Sequence, residues 1–378
     1  MNVAERYAGV EISQIRKMNA LAKPDTINLG IGQLPYPLAE SIKNAGILAF
    51  ESGEAKYTAN IGDENLRKAV IKEYNEENSL NYQENNVVIT NGSQGAIWNI
   101  FSVYLNFGDK VLLPNICFSA YETIIKIHGA KVIFYKLDEN FQIDTADFEK
   151  KLNSNPDAKF ALINSPSNPC GSVFSEEQIR KICEITNKTE CFIISDEVYN
   201  KLYFGEKPLS PAKFAKNCIT VNGISKRCAA TGLRIGWAVA KKEIIENLVV
   251  ANQYTCTCAN NISQLAAIQA FSSKTETFCE EVRKKLEENA NILYNALLQI
   301  PEISAVKPQG AFYCMANISR FGTSKDVSMS ILENCNVLTI PGIAFGADAD
   351  KYIRISFAVE SELLKTALER MKGGIRKI

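Results

Sequence analysis

The stretch Cys191-Phe192-Ile193-Ile194-Ser195 is a short apolar run that is followed at once by the acid Asp196. A continuous apolar run of this length indicates a strand that is buried on both faces of a sheet. Residues 160–164 repeat the pattern earlier in the chain, and a helical pattern over residues 175–187 separates the two runs. Buried strands joined by helices predict a mostly parallel sheet with helices on both faces.

Similar runs continue in both directions along the chain, and together they predict seven strands. These strands cover residues 86–90, 110–113, 131–135, 160–164, 191–195, 218–221 and 236–240. After about residue 280 the pattern changes to a long charged helix, three short strands and a final helix. We therefore predict an α/β fold with a large domain over residues 40–280. A smaller α+β domain would combine residues 1–39 with residues 281–378.

Composition and charge exclude several classes of function. The 378 residues include 42 basic and 42 acidic side chains, so the formal net charge is zero. The charge therefore gives no indication that nucleic acid or an anionic membrane is a partner. No apolar run approaches the ~18 residues of a transmembrane helix, and the N-terminal residues lack the apolar core of a signal peptide. The 11 cysteines follow no disulfide or metal-site spacing. We expect a cytoplasmic protein with reduced thiols and no bound metal.

Five side chains that suit binding or chemistry follow the ends of predicted strands. In an open parallel sheet, ligands bind beyond the carboxyl ends of the strands. We therefore expect these residues to share one site: Ser93, Phe118, Asn168, Asp196 and Lys226.

Lys226 is the most informative of these residues, because it lies in a loop of small residues thirty positions after Asp196. A lysine can form a Schiff base with a carbonyl cofactor. Proteins that bind pyridoxal 5'-phosphate (PLP) combine such a lysine with an acid that faces the pyridine nitrogen. An ionised Asp196 would keep that nitrogen protonated. Since a buried unpaired carboxylate is costly, Asp196 must face either this cofactor or a basic side chain.

Two further features suit the phosphate of such a cofactor. The turn Gly92-Ser93-Gln94 stands between a strand and a helix, where unpaired N–H groups and the helix dipole attract an anion. Arg234 follows Lys226 by eight residues and would add a charge-assisted contact. The alternatives are a simple helix cap for the turn and an ordinary salt bridge for Arg234.

Three other residues would contact the cofactor, and two of them have an alternative structural explanation. Asn168 lies in a turn with two X-Pro pairs. These pairs restrict the backbone and would position the Asn168 amide; the alternative is a simple β-turn. Tyr199, three residues after Asp196, would donate its hydroxyl to the phenolate oxygen of the cofactor. Phe118 would stack on a planar ring or pack as a core aromatic residue.

The chain resembles the fold-type I, class I and II PLP-dependent aminotransferases in three motifs. These are Asn-Ser-Pro-Ser-Asn-Pro-Cys-Gly at 164–171, Asp-Glu-Val-Tyr at 196–199, and Ser-Lys, five residues, then Gly-Leu-Arg-Ile-Gly at 225–236. The resemblance runs nearly end to end. It includes the glycine segment around Gly32, the segment with Tyr57, and the segment Arg354-Ile355-Ser356-Phe357-Ala358.

The resemblance implies a role for each candidate residue. Lys226 would bind PLP covalently and move a proton at the substrate, Asp196 would pair with the pyridinium nitrogen, and Tyr199 would hydrogen-bond the phenolate oxygen. The substrate would be bound by Gly32, Asn168 and Arg354, the last of which would clamp the α-carboxylate. The remaining contacts to the cofactor are implied for Gly92, Ser93, Gln94, Phe118, Asn168, Arg234 and, from the neighbouring subunit of a homodimer, Tyr57.

The implied reaction moves an α-amino group from an L-amino acid to a 2-oxo acid in a ping-pong cycle, with aspartate or aromatic amino acids as expected substrates. A β-eliminating C–S lyase with the same cofactor is the alternative. A non-catalytic PLP-binding regulator is less favoured, because no basic helix-turn-helix segment precedes residue 25.

Four single residues depart from the family pattern, as does the segment Gln33-Leu34-Pro35, where Glu-Pro-Asp is commoner. Cys170 stands where threonine is usual, Gly223 stands where some subgroups have a phosphate-binding serine, and Arg227 and Cys228 replace smaller or aromatic residues. None of the four removes a chemical group that the reaction needs, so they concern the subgroup and not the reaction.

Overall fold

The computed structural model describes residues 2–53 and 55–375. Its strands in this part of the chain are β1 (Ile27–Asn28), β2 (Val87–Asn91), β3 (Lys110–Pro114), β4 (Lys131–Tyr135), β5 (Ala158–Asn164), β6 (Phe192–Asp196), β7 (Cys218–Gly223), β8 (Ile235–Val239), β9 (Ser304–Ala305), β10 (Tyr313–Asn317), β11 (Val337–Leu338), β12 (Ile340–Pro341) and β13 (Tyr352–Ser356).

The α-helices lie between and around these strands. They are α1 (Gln14–Asn19), α2 (Glu40–Glu51), α3 (Glu64–Asn78), α4 (Ser93–Tyr104), α5 (Ser119–Ile127), α6 (Thr145–Asn153), α7 (Glu176–Thr186), α8 (Lys242–Cys256), α9 (Asn261–Ala267), α10 (Ser273–Leu297), α11 (Ser324–Cys335) and α12 (Ser361–Ile375).

A seven-stranded sheet forms the centre of the molecule, in the order β2-β8-β7-β6-β5-β3-β4. The pairs β3–β4, β3–β5, β5–β6 and β6–β7 are parallel, whereas β8 runs antiparallel to both β7 and β2. All seven predicted strands are present, with ends that differ by at most two residues. The predicted α/β fold with a mostly parallel sheet is therefore confirmed.

Both faces of this sheet are covered, which explains why its strands are apolar throughout. Successive side chains of a strand point to opposite faces. On β2, Val88 packs with residues of α4 and α8, whereas Val87 and Ile89 pack with residues of α3. A strand with a helix on each side has no solvated face, so it shows no alternation of apolar and polar residues.

A second, smaller sheet has the order β12-β13-β10-β9, and β1 pairs in parallel with β11 beside it. Its core joins Ile27 and Leu29 with residues of α10, α11 and α12. Helix α10 connects the two parts of the molecule, because Cys279 belongs to a core beside the large sheet and Val282 to the core of the small one. The domain boundaries at residues 40 and 280 stay a prediction.

The described residues contain no membrane-spanning helix, no cluster of metal-binding side chains and no disulfide. None of the helices in residues 2–53 and 55–375 combines the length and the apolar character needed to cross a membrane. The same residues contain no group of three or more His, Cys, Asp or Glu side chains that could hold a metal ion. No disulfide joins the cysteines.

Candidate active site

The register of the large sheet brings the predicted site residues to one edge. Asn164 at the end of β5 lies opposite Asp196 at the end of β6, and Asp196 lies opposite Val221 of β7. Strand β8 runs in the other direction, so its first residue, Ile235, lies opposite Asn91 at the end of β2. The antiparallel strand therefore carries Arg234, which precedes it, to the edge where the parallel strands end.

Lys226 follows β7 at this edge, and its side chain is partly buried. Its Nζ donates a hydrogen bond to the carbonyl oxygen of Gly32 at 2.8 Å. Burial lowers the pKa of Lys226 from its ordinary 10.5 to about 8, and the positive charges of Arg234 and Arg354 act in the same direction. A lysine with this pKa is partly neutral near physiological pH, and the neutral amine is the nucleophilic form.

Asp196 is buried at the end of β6. Its Oδ2 accepts a hydrogen bond from the Tyr121 hydroxyl at 2.6 Å, and its Oδ1 accepts one from the backbone N–H of Val198 at 3.2 Å. Burial raises the pKa of Asp196. No basic side chain of the described residues forms an ion pair with it, so the cationic ring nitrogen is the partner that fits.

Arg354 is a second buried charge, carried by β13 in the small sheet and only 1% exposed. Its Nη1 donates to Oδ1 of Asn168 at 2.9 Å, and its Nη2 donates to the carbonyl oxygen of Gly30 at 2.5 Å. Its Nε has no acceptor, and none of the carboxylates in residues 2–53 and 55–375 forms an ion pair with it. Burial lowers the pKa of Arg354. A buried guanidinium without an anion fits a carboxylate ligand.

Asn168 is linked to the end of β6 through Asn164. Its backbone N–H donates to Oδ1 of Asn164 at 2.8 Å, and Nδ2 of Asn164 donates to the carbonyl oxygen of Asp196 at 2.9 Å. Because Oδ1 of Asn168 accepts from Arg354, its Nδ2 is the group that remains to donate to a ligand. The alternative of a simple β-turn therefore does not account for its contacts.

Tyr199 is buried beside Tyr313, and their hydroxyl oxygens are 3.2 Å apart. Burial raises the pKa of both tyrosines. The ring of Tyr313 also stacks against Arg354, whose guanidinium carbon is 4.4 Å from the ring centroid. A Cβ on Gly32 would lie 2.3 Å from the Tyr313 hydroxyl, so a side chain at that position would require Tyr313 to shift.

The turn at the start of α4 and Arg234 form a cradle that suits a phosphate. Gly92 has a φ of +79°, and a Cβ at this position would lie 2.4 Å from Nη2 of Arg234. The first turn of α4 begins at Ser93 and leaves N–H groups without partners inside the helix. Arg234 donates to the carbonyl oxygen of Thr231 at 3.0 Å and forms no ion pair within the described part of the chain. The salt-bridge alternative for Arg234 is thus not observed.

The remaining predicted residues occupy different places. Phe118 caps α5, and its ring meets that of Tyr121 edge-on with centroids 5.5 Å apart, so it lies near the carboxylate that Tyr121 binds. Gln94 is exposed in the first turn of α4. Tyr57 lies on the surface after α2 and is 85% exposed. Within the described part of the chain it forms no hydrogen bond with the other predicted site residues. A role for Tyr57 in this site therefore needs a second subunit.

Sequence reasoning assigned no role to Tyr121 and Tyr313. Tyr121 comes three residues after Phe118, and residues at this spacing share one face of a helix, but an isolated tyrosine gives no indication of the carboxylate that it will meet. Tyr313 belongs to the segment Pro308-Gln309-Gly310-Ala311-Phe312-Tyr313, which resembles a family motif without indicating a function for the hydroxyl.

The site fits PLP on four counts. It offers a lysine with a lowered pKa, a buried acid without a counter-ion, a glycine turn beside an unpaired arginine, and a second, buried arginine for a carboxylate. These are the charges that a pyridine nitrogen, a phosphate and an amino acid carboxylate would satisfy.

Comparison with known proteins agrees with this geometry. The model of the family described as aminotransferase class I and II matches residues 24–371. The chain is 32% identical to a probable aspartate aminotransferase of Methanocaldococcus jannaschii, over 98% of this chain and 99% of that protein. It is 34% identical to a probable N-acetyl-LL-diaminopimelate aminotransferase of Bacillus subtilis, over 96% of this chain and 93% of that protein. The solved structure of aspartate aminotransferase from Thermus thermophilus with maleate superposes with a TM-score of 0.95 at 27% identity, over 99% of both chains.

Proposed function

The chain belongs to the aminotransferase class I and II family, and we propose that it transfers an α-amino group from an L-amino acid to a 2-oxo acid with PLP bound around Lys226. One observation carries this proposal. Two buried charges, Asp196 and Arg354, lack counter-ions among the described residues, and both act on a lysine whose pKa is lowered to about 8. Bound PLP supplies an electron sink for negative charge that develops at the substrate Cα.

The protein side chains bind and orient the cofactor. Lys226 would anchor it covalently, and Asp196, fixed by Tyr121, would hold the ring nitrogen protonated because an opposite charge favours the charged form. Asn168 and Tyr199 would donate to the phenolate oxygen. The phosphate would be held by the first turn of α4 and by Arg234, with Phe118 against the ring.

The substrate would be bound through its α-carboxylate. Arg354 would offer a bidentate fork, for which its unpaired Nε is one available donor. This contact would direct the Cα–H bond toward Lys226, which in its neutral form would remove the proton from Cα and deliver it to C4′ of the cofactor, so that the amino group stays behind when the 2-oxo acid leaves. A pKa near the working pH suits a group that both accepts and donates a proton.

We propose aspartate and aromatic amino acids as the substrates. The name of the relative from Methanocaldococcus jannaschii supports aspartate. Near the site, Ile31 is 40% exposed, and it offers apolar surface to an aromatic side chain. Such a reaction belongs to amino acid metabolism, and we assign it to biosynthesis in the cytoplasm.

We further propose that the protein is a homodimer with Tyr57 reaching the partner's phosphate cradle. Leu48, Phe50, Tyr57 and Tyr254 are all more than half exposed. Asn60 donates to the carbonyl oxygen of Thr257 at 2.8 Å, which joins the Tyr57 segment to the end of α8. An apolar surface of this kind is typical of an interface. The large and small domains would meet at the proposed site, with boundaries near residues 40 and 280.

A single assay tests the proposed reaction. The PLP-supplied protein is incubated with single amino acids, with and without 2-oxoglutarate, and both the new amino acid and free ammonia are measured. We expect aspartate or an aromatic amino acid to be consumed only when the 2-oxo acid is present, and Lys226→Ala to abolish turnover. Release of ammonia without a 2-oxo acid would identify a β-eliminating lyase and contradict the proposal.

A further inference from the structure

Arg227 follows Lys226 directly, and its side chain is buried in the protein interior with 2% exposure. Its Nη1 forms an ion pair with Oε1 of Glu73 on α3 at 2.6 Å, and its Nη2 donates to the carbonyl oxygen of Ala270 at 2.7 Å. The guanidinium also lies 5.1 Å from the ring centroid of Phe271. The residue next to the proposed catalytic lysine is therefore fixed from outside the site.

Glu73 has a second cationic partner. Its Oε2 lies 3.2 Å from Nζ of Lys201, which also contacts Glu77 at 2.5 Å. Glu73 and Glu77 are one helical turn apart, so they share one face of α3. We call these residues and Arg227 the α3 ion cluster: Glu73, Glu77, Lys201 and Arg227.

The α3 ion cluster connects the two loops that carry the proposed catalytic groups. Arg227 belongs to the loop of Lys226, after β7. Lys201 follows Tyr199 by two residues. Both belong to the loop after β6, and Asp196 is the last residue of that strand. One carboxylate, Glu73, contacts a cation from each loop, and its side chain is only 22% exposed. In a largely buried setting, removing one partner leaves the other charges uncompensated.

We propose that Glu73 is a positioning residue that, through Arg227 and Lys201, fixes the loop of Lys226 relative to the loop of Asp196 and Tyr199. This inference rests on the proposed function, because it concerns the placement of Lys226.

The test measures Lys226 in the cofactor-free full chain, without using activity. The protein is labelled briefly with an amine-reactive acylating reagent at a series of pH values from about 6 to about 11, a range that includes the ordinary lysine pKa. Labelling of Lys226 is followed by mass spectrometry. The wild type is expected to label with a midpoint near pH 8. Glu73→Gln should move the midpoint upward by about half a unit or more, because a displaced Lys226 becomes better solvated.

A matched control and a stability control separate positioning from general destabilisation. Glu76→Gln changes an exposed carboxyl on the same helix and should leave the midpoint unchanged. The double variant Glu73→Leu/Arg227→Met replaces the ion pair by apolar groups, which is often neutral for stability. We expect it to melt close to the wild type and still show the raised midpoint, and it carries the test if Glu73→Gln does not fold. In the PLP-supplied enzyme, Glu73→Gln should lower kcat by about tenfold with little change in KM, since the Arg354 clamp is not altered.

The outcomes are distinguishable. A wild-type midpoint near that of exposed lysines would overturn the proposed role of Lys226 itself. Two results would overturn the positioning role and leave the proposed function standing. In the first, the wild-type midpoint lies near pH 8 and Glu73→Gln leaves it unchanged. In the second, the double variant shows both the wild-type midpoint and the wild-type melting temperature.

Discussion

At the scale of single residues, the site is organised by charges that the protein itself does not neutralise. Asp196 has hydrogen-bond donors but no cation, and Arg354 has neutral acceptors but no anion among the described residues. Burying a charge in this way is costly unless a ligand completes the pair. In our proposal these charges bind two different groups, Asp196 the cationic ring nitrogen of the cofactor and Arg354 the carboxylate of the substrate.

Arg354→Lys tests the carboxylate end. A lysine offers a point charge in place of a planar fork and leaves Asn168 or the Gly30 carbonyl without its donor. Since a hydrogen bond to a charged group contributes about 1.5–3 kcal/mol, kcat/KM for the amino acid should fall by about 10- to 100-fold, mainly through KM. Steady-state kinetics measure this, with the exposed Arg320→Lys as control. An unchanged KM would show that another group binds the carboxylate.

Only part of the site could be predicted from the sequence. Lys226, Asp196 and Asn168 each follow a buried strand, and the end of a strand fixes where a side chain lies in a parallel sheet. The pairing of Tyr121 with Asp196 and that of Arg227 with Glu73 join residues 75 and 154 positions apart. Such contacts depend on how helices pack across the sheet and leave no periodic pattern in the sequence.

At the scale of elements, strand direction explains the shape of the site. The apolar runs predicted seven strands, but an apolar run has the same composition in either direction, so the antiparallel course of β8 could not be inferred. That course places Arg234 beside Gly92, at the end of β2. Without it, the arginine would lie at the opposite edge of the sheet from Lys226.

The end of β6 carries a titratable group that the reaction does not use. Glu197 is buried, and its Oε1 accepts hydrogen bonds from Ser195 at 2.9 Å and Ser210 at 2.6 Å. Burial raises the pKa of Glu197 to about 7. The folded protein then binds this proton more tightly than the unfolded chain, so the stability from this group is full below the ordinary pKa of 4.5 and is lost as pH rises through 7.

Glu197→Gln should remove this dependence, because the amide keeps an acceptor oxygen and does not ionise. Relative to wild type, we expect the free energy of unfolding to rise by up to about 3 kcal/mol at pH 8 and to change little at pH 4.5. Denaturant unfolding at the two pH values measures it, and the exposed Glu190→Gln is the control. An equal difference at both pH values would mean that Glu197 does not titrate in this window.

At the scale of the whole molecule, the site lies where the two sheets meet and is completed, in our proposal, by a second subunit. Lys226 follows the large sheet and donates to the carbonyl oxygen of Gly32, whereas Arg354 belongs to the small sheet and donates to that of Gly30, and both glycines lie in the N-terminal segment. The chain thus returns to the same site from three distant segments. Sequence reasoning predicted this convergence only through the family resemblance, since sequence separation gives no measure of distance.

Tyr57→Phe tests the contribution of the partner subunit. If the hydroxyl donates to the phosphate across the interface, its loss should weaken PLP binding by about tenfold. The control is Tyr254→Phe, which removes a hydroxyl from the same exposed surface without a proposed phosphate contact. Equilibrium titration with PLP measures both variants, and an unchanged dissociation constant for Tyr57→Phe would contradict the interfacial role.

The visible absorption spectrum of the PLP-supplied protein during each half of the reaction tests the proposed transamination most directly. We predict a visible band that is absent in Lys226→Ala, that disappears when aspartate or an aromatic amino acid is added alone, and that returns when a 2-oxo acid follows. A protein that shows no such band when PLP is supplied, or a band that no amino acid removes, would contradict the account.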